Sequence, residues 1–163
     1  MNVTIAPIAL EGRRQVMNIF NYYIENSFAA YPADKMPYEF FDMLLKTCDG
    51  YPTATAKDGS GTIIGFGLLR PYSPMSTFAK TAEIGYFLAP EVTGKGIGKT
   101  LLEYLVTKGK EKGLSSILAS ISSLNEASIR FHLRNGFTEC GRFKGICWKN
   151  GRNFDVVYCQ RML

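Results

Sequence analysis

Residues 92–113, VTGKGIGKTLLEYLVTKGKEKG, place three glycines and two lysines between Thr93 and Thr100 and then run directly into a helix-forming segment. Glycines at that density let a backbone turn through positive φ and approach a neighbour without Cβ interference. A helix starting there offers its first N–H groups, which lack intrahelical partners, to whatever lies in the turn. The stretch is either a tight surface turn or an anion cradle, and its place between a strand-like run and a helix suits both. Leu101, Leu102, Leu105 and Val106 fall on one face of the helix, Lys108, Lys110 and Lys112 gather toward its end, and Gly113 stops it.

The flanking sequence supplies a sheet for such a unit. Residues 2–8 read as a short strand, and residues 11–27 set Val16, Ile19, Phe20, Tyr23 and Ile24 on one helical stripe. Pro37 opens and Gly50 closes a second helical segment. From Tyr51 the period shifts to that of strands: YPTATAKD, GTIIGFGLLRPY and AKTAEIGYFLAP are separated by turn residues, with KDGSG a hairpin turn. After the central helix come a strand at 115–122, a short helix opened by Asn125 and closed near Gly136, and two strands around KNGRN. The order β-α-α-β-β-β-α-β-α-β-β predicts one α+β domain over residues 1–163, built on a mixed sheet.

With 46% hydrophobic residues, 163 positions suffice for one core. The longest apolar run, IIGFGLL, is far too short for a membrane span, and the first residues lack a basic start followed by an apolar segment. A soluble, cytoplasmic protein with no membrane partner is expected. Cys48, Cys140, Cys147 and Cys159 form no CxxC pair and His132 is the one histidine, so no metal site is expected and the thiols read as reduced and structural. The net charge of +5 has lysines clustered at 95–112 and not in a tail, which favours a local anion site over a nucleic-acid face.

Spacing excludes two phosphate loops. GxxxxGK[ST] needs four residues between its glycines and only three separate Gly94 from Gly98, while GxGxxG needs a glycine where Lys99 stands. Thr93-Gly94-Lys95-Gly96-Ile97-Gly98 instead resembles the acetyl-CoA loop [QR]-x-x-G-x-[GA] of the GNAT N-acetyltransferases, with Thr93 in place of Gln or Arg. NYYIENS, YFLAPEVTGKGIG, SIRFHLRNGF and WKNGRNFDV extend the likeness, over nearly the whole chain, to the phosphinothricin and methionine sulfoximine/sulfone acetyltransferases within that superfamily. The resemblance implies a twisted, mostly antiparallel sheet flanked by about four helices. It also implies a splay where the fourth and fifth strands part to admit a pantetheine arm.

Site roles follow from the same resemblance. Thr93, Gly94, Lys95, Gly96, Ile97, Gly98, Lys99 and Thr100 would hold the pyrophosphate of acetyl-CoA, and the backbone of Phe87 and Leu88 would pair with pantetheine and polarise the acetyl carbonyl. Glu83, seven residues before Pro90, stands where relatives carry the general base that deprotonates the acceptor amine. His132 stands where a proton donor to the leaving thiolate is expected, and it would equally serve as a polar helix residue. Two roles are open to Asn125, a pantetheine contact and the helix N-cap. Tyr31, Tyr72 and Phe78 align with aromatics around the acceptor pocket, and the core or ordinary surface would also take them. Ser73 and Met75 replace a customary basic residue, which leaves Arg70 or Lys80 to meet an acceptor carboxylate.

The implied activity is acetyl transfer from acetyl-CoA to the α-amine of a small amino acid or analogue, by direct attack on the thioester, in a homodimer without nucleic-acid partners. A protein N-terminus or polyamine as acceptor, and a non-catalytic acetyl-CoA-binding module, are the alternatives.

Overall fold

In the computed structural model, which describes residues 2–163, the strands are β1 (Thr4–Ala6), β2 (Thr53–Lys57), β3 (Ile63–Pro71), β4 (Thr81–Leu88), β5 (Ser116–Ser122), β6 (Thr138–Lys149) and β7 (Arg152–Met162). The helices are α1 (Arg13–Asn26), α2 (Phe40–Thr47), α3 (Ile97–Lys112) and α4 (Glu126–Arg134), so the predicted element order is observed. One seven-stranded sheet has the order β1-β2-β3-β4-β5-β7-β6. Every neighbouring pair is antiparallel except β4 and β5. A parallel pair needs a crossover connection, and α3 with its entry loop supplies it.

Turn chemistry closes the hairpins as the residue types require. Asp58 accepts bonds from the N–H groups of Ser60 and Thr62 while Gly61 takes φ 84°, and Asn150 and Gly151 both take positive φ between β6 and β7.

Alternation along β3 and β4 separates the two helical layers. Phe66 and Phe87 face α1, where Phe87 packs on Phe20 and Tyr23 with ring centroids 5.4 and 5.3 Å apart. Gly65 and Gly67 face α3. A Cβ on Gly65 would lie 2.5 Å from Leu88 Cδ2 and 3.3 Å from Leu101 Cδ1, and one on Gly67 would lie 2.9 Å from Leu105 Cδ1 and from Tyr86 Cβ. Glycine at these strand positions lets α3 sit close against the sheet, with Leu101, Leu102 and Leu105 fully buried.

Between β4 and β5 the pairing covers only Thr81–Ser116, Ala82–Ile117 and Glu83–Leu118. Beyond Glu83 the strands part, while β4 stays paired to β3 through Leu88 and β5 stays paired to β7 through Ser122. The splay expected between the fourth and fifth strands is therefore present. The cysteines are all unpaired: Cys48 and Cys159 are buried, but Cys140 is exposed on β6.

Candidate active site

A cleft of ≈ 600 Å³ opens where β4 and β5 diverge, bounded by the start of α3 at one end and by α4 along one side. Its floor carries Ile84, Leu88, Ala119 and Ile121, and its edge is the stretch of β4 that has no β5 partner.

At the α3 end, Gly94 and Gly96 adopt φ 75° and 83°, a region that disfavours any Cβ. Gly96 is the N-cap of α3 and makes no side-chain capping bond, so the first-turn N–H groups lack side-chain partners and are available to an anion. Thr93, Gly94, Gly96, Gly98 and Lys99 all line the cleft. A Cβ on Gly98 would lie 3.6 Å from Leu88 and 3.7 Å from Phe131, in the channel between the sheet and α4.

Other members of the predicted loop set fall elsewhere. Ile97 is buried in the core, because an apolar side chain on the first turn of α3 faces the sheet; only its backbone can serve a ligand. Lys95 and Thr100 are exposed outside the cleft, and Thr100 donates its Oγ1 hydrogen to Gly96 O at 3.3 Å. Thr93 spends its hydroxyl on Pro90 O, 2.9 Å away, where the longer Gln or Arg side chain of the family motif would extend outward. The lysine cluster is also split by helix geometry. Lys108 pairs with Glu111 and Lys112 lies 4.5 Å from the Tyr51 ring centroid, roughly 14–20 Å along the axis from Lys99.

Along the cleft wall, Leu88 O accepts a bond from Tyr23 Oη at 2.7 Å, which fastens the end of β4 to α1. Asn125 takes the N-cap position of α4, its Oδ1 accepting from Ser128 N at 3.3 Å, and it also lines the cleft. His132 is buried on α4, with Nε2 2.7 Å from Tyr86 Oη and Nδ1 2.7 Å from Ser128 O. Burial pushes its pKa below the ordinary histidine value and pushes that of the Tyr86 hydroxyl up.

Glu83 is the last β4 residue paired with β5, so its carboxylate stands at the apex of the splay. Its side chain is 15% exposed and meets Arg70 Nη2 at 3.3 Å, Arg70 lying directly across on β3. Tyr31 reaches the cleft wall, its hydroxyl 3.1 Å from Ser120 Oγ. Tyr72 and Phe78 pack on each other, centroids 5.4 Å apart, but sit exposed on the β3–β4 loop and outside the cleft.

The segment carrying Tyr31 is tied down from two sides. Asn21 of α1 exchanges bonds of 2.9 and 2.8 Å with the backbone of Met36. Lys149, 3% exposed at the end of β6, donates to Ser27 O and Ala30 O at 2.8 and 2.7 Å. That burial lowers the Lys149 pKa.

An acetyltransferase (GNAT) family model matches residues 16–137, three quarters of the chain and all of the cleft wall up to Phe137. The chain belongs to the GNAT acetyltransferase family.

It is similar to the L-methionine sulfoximine/L-methionine sulfone acetyltransferase of Pseudomonas aeruginosa, at 29% identity over 98% of this chain and 94% of that one. Among solved structures, the phosphinothricin acetyltransferase from Sinorhizobium meliloti in complex with acetyl-CoA superposes with a TM-score of 0.95 at 28% identity, covering 100% of this chain and 89% of that one. A ribosomal-protein-alanine N-acetyltransferase from Brucella melitensis superposes with a TM-score of 0.92 at 29% identity, covering 98% and 99%.

In this acetyltransferase, sequence reasoning missed Tyr86, Ser120 and Lys149 and read Tyr23 only as part of a helical stripe. Strand alternation assigns Tyr86 to the same face as Ala82 and Ile84, and so to core. No local signal shows that its hydroxyl meets a histidine 46 residues later.

Proposed function

We propose that this GNAT enzyme transfers the acetyl group of acetyl-CoA to the α-amine of a small amino acid or analogue of the phosphinothricin, methionine sulfoximine or methionine sulfone type. The observation that carries this is that Glu83, paired with Arg70, is the last β4 residue joined to β5, beside Ile84 where the cleft lining begins, and that the glycine cradle of α3 lines the far end of that cleft. The cradle fits a phosphorylated cofactor: Gly94 and Gly96 hold left-handed backbone forms that disfavour a Cβ, and its helix N–H groups have no side-chain cap. Acetyl-CoA brings the activated acetyl group as a thioester. Thr93, Gly94, Gly96, Gly98 and Lys99, with the backbone of Ile97, would hold its pyrophosphate, and the unpaired edge of β4 at Phe87 and Leu88 would receive its arm.

Glu83 then takes the proton that the acceptor ammonium must lose before its nitrogen can attack. Arg70 supplies the positive charge beside it, which supports an acceptor carrying a carboxylate or another anionic group. The tethered segment from Ser27 to Met36 carries Tyr31 over the acceptor side. A guanidinium at the apex disfavours polyamines, whose charges are all positive. The structural likeness to a ribosomal-protein-alanine acetyltransferase keeps a protein N-terminus as the second reading.

The assembly proposed for the enzyme is a homodimer through its outer strand, where Phe143, Ile146 and Trp148 are exposed on β6. No described helix is long and apolar enough to cross a membrane.

Thiol release from acetyl-CoA, followed over a panel of amino acids, their sulfoximine, sulfone and phosphinic analogues, N-terminal peptides and polyamines, tests the proposal. Turnover confined to the amino-acid class is expected. Turnover on peptides alone would favour the second reading, and binding of acetyl-CoA without turnover on any amine would reduce the protein to a binding module. Glu83→Gln should lower kcat by roughly 10²–10⁴-fold with acetyl-CoA affinity nearly intact.

A further inference from the structure

The cleft wall contains a hydrogen-bonded side-chain pair that is neither loop, base nor cap: Tyr86 on β4 and His132 on α4. The imidazole is 4% exposed and stands edge-on to Phe137, with centroids 4.8 Å apart, and to Phe131 at 5.6 Å. Its Nδ1 is 2.7 Å from Ser128 O. A carbonyl oxygen can only accept, so Nδ1 carries a hydrogen. Burial keeps the ring neutral at pH 7, which leaves Nε2 bare. The Tyr86 hydroxyl, 2.7 Å from Nε2, must therefore be the donor in that bond.

We infer that His132 is a positioning residue and not a proton donor: it captures the Tyr86 hydroxyl hydrogen, so that Tyr86 Oη presents its lone pairs to the cleft as a fixed acceptor for an amide N–H of a bound pantetheine arm. The inference rests on the acetyl-CoA reading above. A phenol free to rotate offers either polarity, but one whose hydrogen is spent on an imidazole offers lone pairs alone. Tyr86 keeps its proton, because burial raises its pKa. The cleft is lined by the apolar Ile84, Leu88, Ala119, Ile121 and Phe131 as well as by Ser120, Ser122, Asn125 and Ser128, and an amide N–H sheltered in it needs an acceptor. Tyr86 Oη, which lines the same cleft with its hydrogen already spent on His132, meets that need.

Because the chain has one histidine, its ring nitrogens can be read directly by long-range ¹H–¹⁵N correlation NMR. The Nδ1–H tautomer at pH 7 is expected, with protonation only below about pH 6.5. Calorimetric titrations with CoA and with desulfo-CoA, which lacks the thiol, supply the ligand arm. Tyr86→Phe, which keeps the ring, should weaken both ligands equally, by roughly two- to tenfold for one neutral hydrogen bond. His132→Gln, whose Oε1 can take the place of Nε2, should retain affinity that His132→Leu loses.

An Nε2–H tautomer or an imidazolium at pH 7 overturns the inference. So does a Tyr86→Phe protein that binds CoA as the wild type does, or a loss that disappears with desulfo-CoA, which would make the thiol the donor. If the wild type binds neither ligand, the acetyl-CoA reading has failed and the inference falls with it; wild-type binding with an indifferent Tyr86→Phe defeats the inference alone.

Discussion

Gly67→Ala on β3, opposite Tyr86, and Gly85→Ala on β4, opposite Leu68, are two strand substitutions whose effects should differ in sign. At Gly67 the added methyl carbon would lie 2.9 Å from Leu105 Cδ1 and 2.9 Å from Tyr86 Cβ, with Gly85 O at 3.4 Å. The Leu105 methyl can turn away. Tyr86 Cβ is fixed by its strand, so either α3 lifts or β4 bends. Overpacking of this kind costs about 1–3 kcal/mol. Removing glycine from a strand returns about 0.5–1 kcal/mol, which leaves a net loss of roughly 0.5–2 kcal/mol. For a domain of this size that is a Tm lower by roughly 1–8 °C.

At Gly85 nothing lies within 4 Å of the added carbon, and φ is not in the left-handed region. Gly85→Ala should keep or raise Tm by up to about 3 °C. Yet Gly85 lines the cleft one residue from Ile84 and two from Glu83, so the same methyl narrows the acceptor side and should raise the amine KM. Thermal melts by circular dichroism and steady-state kinetics on the two variants provide the comparison. A Gly67→Ala protein that melts at or above the wild-type temperature would refute the claim that close approach of α3 and β4 dictates glycine there. An unstable Gly85→Ala would refute the claim that this position is open.

Asn125→Ala removes the N-cap of α4 and should cost about 1 kcal/mol in urea unfolding, with a rise in acetyl-CoA KM because the same residue lines the cleft. The lowered pKa of His132 means that the unfolded chain takes up a proton before the folded one does. Its contribution to stability is present above about pH 6.5 and is lost as pH falls through the lower folded value, so urea unfolding at pH 7.5 and 5.0 should show a smaller pH dependence in His132→Gln than in the wild type. Thr93→Gln restores the outward side chain that Thr93 turns back onto Pro90 and should lower the acetyl-CoA KM; an unchanged KM would show that the backbone of the loop carries the pyrophosphate alone. Trp148, the one tryptophan, is 74% exposed, so its emission should shift to the blue as protein concentration rises through the dimer constant, and Phe143→Glu, which keeps that probe, should abolish the shift and sediment as a monomer.

Local physics made much of this protein legible in its linear order. Alternation and 3.6-residue periodicity depend on near neighbours, so all eleven elements, the hairpin turns, the glycine stop at Gly113 and the Asn125 cap could be read directly. Loop spacing around Gly94, Gly96 and Gly98 was also enough to reject two nucleotide loops and point to the family that the chain belongs to.

Tertiary packing decided which atoms of those motifs are free to act. It turned Ile97 into core and Thr93 back on its own turn, and it sent the far lysines of α3 away from the cradle. Strand register set Arg70 against Glu83, and the docking of α4 brought Tyr86 and His132 together. Lys149 crosses more than a hundred residues to hold the loop after α1. These are contacts between polar atoms distant in the chain, whose partners are chosen by how layers stack and where a sheet splays; no local pattern of residues encodes that choice.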